Sequence, residues 1–393
     1  MEKVSQLHKS QNYSDRRIKI LMVEPFQTMG GEERVVLSLI RHLDESLFDI
    51  ELICNSDGPL IEDLKKLDIP LHFVNIYGKW NWNAVLKIYR IVKRGSFNLV
   101  HGHNSFAGLF TRIAVRLQGR TPIIWTDHLL PHQHHRWTMK SRFLSSLYTI
   151  PFFLLERLTD RMVFVSHSAM KMRRSIKPPP LKDTVVIHNG ISIEYVDFAK
   201  RRDEFRREIG ASPDTFVLGN VTRLKWQKGV DCFLKAMKIL IPRCSNIMGV
   251  IVGEGPDEKE FRRMAKDLDL GDRLKFTGSV HDITKVVPGF DAAVLPSLFE
   301  GLSITLLEYM AGGLPIIASD IPNNREVVGD NEAGMLFKVG DEQALAETIL
   351  RLYEQPEMRQ KLASEAKKRY RERFTVEAMV NKYSQLYVEL AGS

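Results

Sequence analysis

The stretch AAVLPSLFEGLSITLLEYMAGGLPIIASD, residues 292–320, decides how this chain is read. Residues 292–297 are apolar and end in Pro-Ser, as a buried strand does. Phe299, Glu300 and Gly301 form a turn. From Ser303 onward Leu, Tyr, Met and Ala supply the buried face of a helix, and residues 316–318 begin another strand. A strand, a helix and a second strand in so short a span make a βαβ unit of a parallel sheet. The amides near Ser303, Ile304 and Thr305 then stand unpaired at a helix start, where a diphosphate is well placed. Glu300 lies just before that helix end. Glu308 lies roughly 7–8 Å into the helix from Ser303, at about 1.5 Å per residue. The plain alternative is a pair of solvated glutamates.

The same alternation runs outward in both directions. Before residue 190 the sequence predicts strands at 18–23, 49–54, 71–76, 99–102, 123–126, 162–165 and 185–187, with helices between them, including 32–42 and 82–93. After it, strands are expected at 217–221, 248–252, 274–276, 293–295 and 316–318, and helices at 230–240, 257–268 and 345–353. The fold class is therefore α/β, with two Rossmann-like domains and a boundary near residues 190–199; two such domains facing each other would put ligand sites at the carboxyl ends of both sheets, in the cleft between them. Residues 1–17 read as a flexible tail, 18–190 as the first domain and 191–375 as the second.

Length and composition agree with this layout. A chain of 393 residues is long enough for two or three domains, and 44% apolar with 26% charged residues is ordinary for a soluble globular protein. Cys54, Cys232 and Cys244 stand apart in apolar surroundings, which suits a reducing, cytoplasmic compartment. The longest apolar stretch, 143–155, is too short to span a bilayer at about 20 residues. Residues 1–190 hold 27 of the 56 Lys and Arg against 17 of the 48 Asp and Glu, leaving 29 against 31 in residues 191–393. The positive excess thus sits in the first half, densest from Lys79 to Lys177, and suits an anionic partner.

Five motifs recur in a familiar order. They are Glu300 and Glu308 with seven residues between them, Val221-Thr222-Arg223-Leu224 followed by Lys228-Gly229, Phe276-Thr277-Gly278, the run Ile251 to Pro256, and Ile187-His188-Asn189-Gly190-Ile191. Together they resemble the retaining glycosyltransferases of family 4, with the two-domain GT-B architecture, over nearly the whole chain from about Ile18. The resemblance implies a nucleotide-diphosphate sugar donor, UDP- or GDP-linked, and a hydroxyl acceptor on a lipid-linked or cell-surface glycan precursor. It implies that Arg223 and Lys228 bind the diphosphate, that Glu300 and Glu308 reach sugar and ribose hydroxyls, and that amides at Ser303, Ile304 and Thr305 meet phosphate. A helix near 376–393 is expected to cross back onto the first domain. Because the cations stand where a metal would, neither metal nor cofactor is expected.

Further candidates lie in the first half. Gly30 and Gly31 resemble the family's GGxER loop at the donor, and paired glycines permit positive φ or close backbone approach; a purely structural turn is the alternative. His128, at a strand end, matches the family's cleft histidine near the reacting sugar. His101 and His103 end another strand, and His103 is the acceptor-side candidate. His128, His132, His134 and His135 lack a Cys or acidic companion, so zinc is not expected. Segments 79–94 and 136–155 combine tryptophan, apolar residues and cations, which fits either a peripheral patch on an anionic membrane at the inner face or a solvated basic surface. Two rival functions are a sugar-nucleotide epimerase of the same architecture and a nucleic-acid-binding protein; the second lacks any recognisable reading motif. Ser192 stands where many relatives have aspartate, and residues 322–326 replace a glycine-rich turn.

Overall fold

In a computed structural model the described residues are 17–26, 30–58, 60–76, 81–103, 105–128, 156–175 and 183–392. The expectations for the tail, for the loop residues 27–29, for His132, His134 and His135, and for segment 136–155 lie outside them. The chain divides into two units, Met1–Gly190 with Val376–Ser393, and Ile191–Thr375.

The first unit holds seven strands: β1 (Ile18–Val23), β2 (Phe48–Cys54), β3 (Leu71–Phe73), β4 (Leu99–His103), β5 (Ile123–Asp127), β6 (Arg161–Phe164) and β7 (Thr184–Val186). They lie in the order β3-β2-β1-β4-β5-β6-β7, and every pairing is parallel. The order reverses between β1 and β4, which is where a doubly wound sheet leaves a crevice at its carboxyl edge. One face is apolar: Leu21, Val23, Val100, Ile123 and Trp125 pack with the helices Trp82–Gly95 and Ser105–Gln118. Alternation sends Met22, His101 and Thr126 to the other face, where the C-terminal helix Val376–Ala391 lies beside β1, β4 and the helix Gly31–His42.

The second unit holds β8 (Phe216–Val221), β9 (Ile247–Val252), β10 (Leu274–Gly278), β11 (Ala292–Leu295), β12 (Ile316–Ser319) and β13 (Met335–Phe337), ordered β10-β9-β8-β11-β12-β13 and again all parallel. Its reversal falls between β8 and β11. Asp291 pins that junction: it accepts from the Val217 amide at 2.7 Å and pairs with Arg202 at 2.6 Å and Arg206 at 3.0 Å. The helix Val230–Leu240 buries Val230, Phe233, Leu234, Met237 and Leu240 against the sheet, at about 1.5–3 kcal/mol for each large side chain.

The structure adds to the sequence reading and corrects it. β13 is a three-residue strand that periodicity does not reveal. Residues 322–326, which stand in place of a glycine-rich turn, open a helix, Pro322–Val328, with proline in its first turn, where a missing amide hydrogen costs nothing. The strand expected at 71–76 stops at Phe73.

Candidate active site

Two loops flank the reversal point of the second sheet. One follows β8 and carries Arg223, a short 3-10 turn at Trp226–Lys228, and Gly229; the other follows β11 and carries Phe299, Glu300 and Ser303. Hydrogen bonds tie them together. The Leu298 amide donates to the Gln227 carbonyl at 2.8 Å, and the Gln227 side chain donates to the Phe299 carbonyl at 3.0 Å. This lacing brings the Lys228 ammonium to 2.7 Å from a Glu300 carboxylate oxygen. Lys228 is 23% exposed and Glu300 only 8%, so the pair is largely withdrawn from water. An ammonium has three donors and a carboxylate two oxygens, so each partner keeps capacity for a ligand while holding the other.

Ser303 caps the helix Ile304–Ala311 without using its side chain, and no acidic residue lies in the first turn. The positive end of that helix is thus not neutralised by its own sequence. Glu308 is buried within the helix, with its carbonyl accepting from the Tyr195 hydroxyl at 2.8 Å. Arg223 is exposed, and no hydrogen bond or ion pair of its side chain is found among the described residues. Lys228 and Glu300 therefore meet at the loop that leads into this helix start.

Several supporting residues were not legible in advance. Asn323, in the helix Pro322–Val328, donates to the Gly301 carbonyl and fixes the loop holding Glu300. The Tyr309 hydroxyl accepts from the Val221 amide at 2.7 Å, anchoring the end of β8. The motif at residues 251–256 contributes support and no side chain of its own to the pair. A Cβ at Gly255 would lie 2.2 Å from the Leu224 carbonyl oxygen, and the Leu224 amide donates to Glu254 at 2.9 Å, so this run presses against the Arg223 loop.

In the first unit the carboxyl ends of β4 and β5 bring two predicted residues together. His103 Nδ1 is 3.2 Å from His128 Nε2. His103 is buried and its Nε2 has no hydrogen-bond partner among the described residues, while His128 is half-buried. Burial first, then the neighbouring His101 and His128, holds His103 well below the usual imidazole range. It is a neutral ring with one free nitrogen, suited to hydrogen bonding rather than to carrying charge. Gly30 has φ −78° and ψ 176°, an extended conformation open to any residue, and Gly31 begins the helix. Of the two uses the glycines permit, positive φ is not the one taken at Gly30. Sequence reasoning also missed Glu24, which follows β1 and is 1% exposed. Burial, followed by Glu32 and Glu33, pushes its carboxyl well above the usual range.

Paired Rossmann-like units, one bearing an ammonium–carboxylate pair beside an uncapped helix start, define a GT-B glycosyltransferase, and comparison with known proteins agrees. A family model described as glycosyl transferases group 1 matches residues 201–369, and one described as glycosyltransferase family 4 matches residues 29–195. The putative glycosyltransferase EpsD of Bacillus subtilis is 30% identical over 346 residues, 86% of this chain and 89% of its own. The UDP-Gal:alpha-D-GlcNAc-diphosphoundecaprenol alpha-1,3-galactosyltransferase of Escherichia coli is 26% identical over 383 residues, 95% of this chain and 97% of its own. HepE of Anabaena, solved with UDP and glucose, shares the fold with a TM-score of 0.80 at 20% identity, covering 94% of this chain and 99% of that one. This chain belongs to glycosyltransferase family 4.

Proposed function

We propose that the chain transfers a sugar, with retention, from a UDP- or GDP-sugar to a hydroxyl of a lipid-linked or cell-surface glycan precursor. The observation that carries this is the Lys228–Glu300 pair at 2.7 Å beside the uncapped start of the Ile304–Ala311 helix. The leaving group is a nucleoside diphosphate. Negative charge develops on its bridging oxygen as the sugar–oxygen bond breaks, and preorganised donors stabilise that charge. Lys228, Arg223 and the amides of Ile304 and Thr305 supply them, the work a metal would otherwise do. Glu300 takes sugar hydroxyls and Glu308 ribose hydroxyls. The acceptor hydroxyl attacks the same face the phosphate leaves, forms the new bond and passes its proton to the departing phosphate oxygen. His128 bonds the reacting sugar, and His103 offers its free Nε2 to the acceptor. The named galactosyltransferase relative takes UDP-Gal and a diphosphoundecaprenol-linked acceptor, which supports a donor and acceptor of these classes here.

Calorimetry with UDP, GDP, ADP, CDP and TDP tests the reading. One diphosphate should bind with release of heat, and Lys228→Ala should weaken it at least tenfold, about 1.4 kcal/mol. No uptake of any of the five would overturn the proposal. Incubating the corresponding nucleotide sugar with polyprenyl-diphosphate sugar acceptors then separates transfer from epimerisation: transfer gives a new glycoside, epimerisation a rearranged nucleotide sugar.

We further place the enzyme in the cytoplasm at the inner face of a membrane. No helix among the described residues is long and apolar enough to cross one. The helix Trp82–Gly95 buries Ala84, Val85, Ile88 and Val92 and exposes Trp82 (57%) and Leu86 (52%), in line with Arg90 and followed by Lys93 and Arg94. An aromatic and an aliphatic side chain beside a row of cations suit the interface of an anionic bilayer. Flotation with phosphatidylglycerol vesicles at low salt should capture the chain, and Trp82→Ala with Leu86→Ala should release most of it. Equal recovery with neutral and anionic vesicles would remove this assignment.

A further inference from the structure

The C-terminal helix Val376–Ala391 brings two tyrosine hydroxyls into the interior of the first unit, at the base of the histidine pair. Tyr387 Oη is 2.6 Å from His101 Nδ1, and His101 Nε2 is 2.8 Å from Thr126 Oγ1. Thr126 Oγ1 in turn lies 2.9 Å from Tyr383 Oη. All four residues are buried, none more than 1% exposed. A hydroxyl enclosed this way is costly if left without a partner, and phenylalanine would fill the same volume without that cost. Here every hydroxyl is engaged, so the polar set constrains orientation as well as filling space.

What it constrains is the His101 ring. Both ring nitrogens are bonded, so a half-turn about the Cβ–Cγ bond would put carbons where nitrogens stand and break both contacts. A ring held in that way is a fixed wall. His103 lies against it, ring centroids 4.2 Å apart and tilted by 44°. His103 then has two restraints, the wall and its 3.2 Å contact to His128. The contacts run without a gap from the last helix of the chain to the half-buried histidine.

We infer that Tyr387 and Tyr383 are positioning residues, which act through Thr126 and His101 to set the orientation of the His103–His128 pair during sugar transfer. This rests on the role given to His128 in the preceding section. A purely structural role for the tyrosines would stabilise the helix and leave the histidine pair indifferent to their hydroxyls.

The experiment uses the full chain with 15N-labelled histidine. In Tyr387→Phe the ring-nitrogen resonances of His101 should shift, and so should those of His103 and His128. With the nucleotide sugar selected by calorimetry, turnover should fall about tenfold with donor KM within twofold, a loss in the range that misplaced reacting groups produce. The double variant Tyr387→Phe/His128→Ala should be no slower than His128→Ala alone, whereas Tyr387→Phe combined with Arg223→Ala should multiply the two losses. Tyr383→Phe, which removes only the outer hydroxyl, repeats the test should Tyr387→Phe fail to fold. Wild-type resonances for His103 and His128 in a folded Tyr→Phe variant overturn the inference, as do multiplicative losses with His128→Ala. Normal turnover in His128→Ala would instead strike at the role given to that histidine. A crippled His128→Ala beside a fully active Tyr387→Phe strikes at the positioning chain alone.

Discussion

Replacing Glu300 with alanine is expected to lower turnover about a thousandfold, roughly 4 kcal/mol of lost transition-state stabilisation, while the chain stays folded. Two losses combine. The carboxylate proposed to hold the transferred sugar is gone, and Lys228 loses its partner in a place where only 23% of its side chain meets water. A cation left without its counter-ion in such a site is free to swing toward solvent, and the donor diphosphate then meets a less organised site. The fold should survive, because the loop is held independently by Gln227 donating to the Phe299 carbonyl at 3.0 Å and by Asn323 donating to Gly301. Glu300→Gln keeps the shape and hydrogen bonding but not the charge, so it should recover part of the loss. Steady-state kinetics beside a thermal melt decide the matter. A variant that melts like the parent and turns over within threefold of it would remove Glu300 from the chemistry.

The parts of this site that could be read from sequence are those whose neighbours are close along the chain. The turn at Phe299–Gly301, the helix start after Ser303 and the buried strands on either side follow from apolar runs and turn residues within 29 positions. All seven strands of the first sheet were legible for the same reason. The Lys228–Glu300 contact was not, since it joins residues 72 apart, and its geometry depends on which strands flank the reversal of the second sheet. The tie from Tyr387 to His101 spans 286 positions, and nothing in the helix that bears Tyr387 marks that residue as different from a core tyrosine. Asn323 drew no reading of its own, because residues 322–326 show in the sequence only a departure from a glycine-rich turn, and the helix that proline opens there is not marked by periodicity. Periodicity reports burial and direction. It does not report which buried groups meet, and a catalytic site is made of such meetings.

Gly229→Ala should show how closely the two loops depend on each other. Gly229 has φ 64° and ψ 29°, and a Cβ built there would lie 2.1 Å from the carbonyl oxygen of Pro296. That oxygen belongs to the backbone leading into the Glu300 loop, so no side-chain rotation relieves the clash; the loops must part. Left-handed backbone costs an L-residue about 1–2 kcal/mol and overpacking another 1–3 kcal/mol. For a domain of this size, a total near 3 kcal/mol corresponds to a fall in Tm of roughly 6–12 °C. Parting the loops also separates Lys228 from Glu300, so nucleotide affinity should fall at least tenfold together with stability. Gly210 is the control. It too has positive φ, 73°, but a Cβ there meets nothing within 4 Å, so Gly210→Ala carries the backbone cost alone. It should melt a few degrees below the parent and bind nucleotide normally. If both variants melt together and both bind like the parent, the close approach of Gly229 to Pro296 does not hold the ion pair in place.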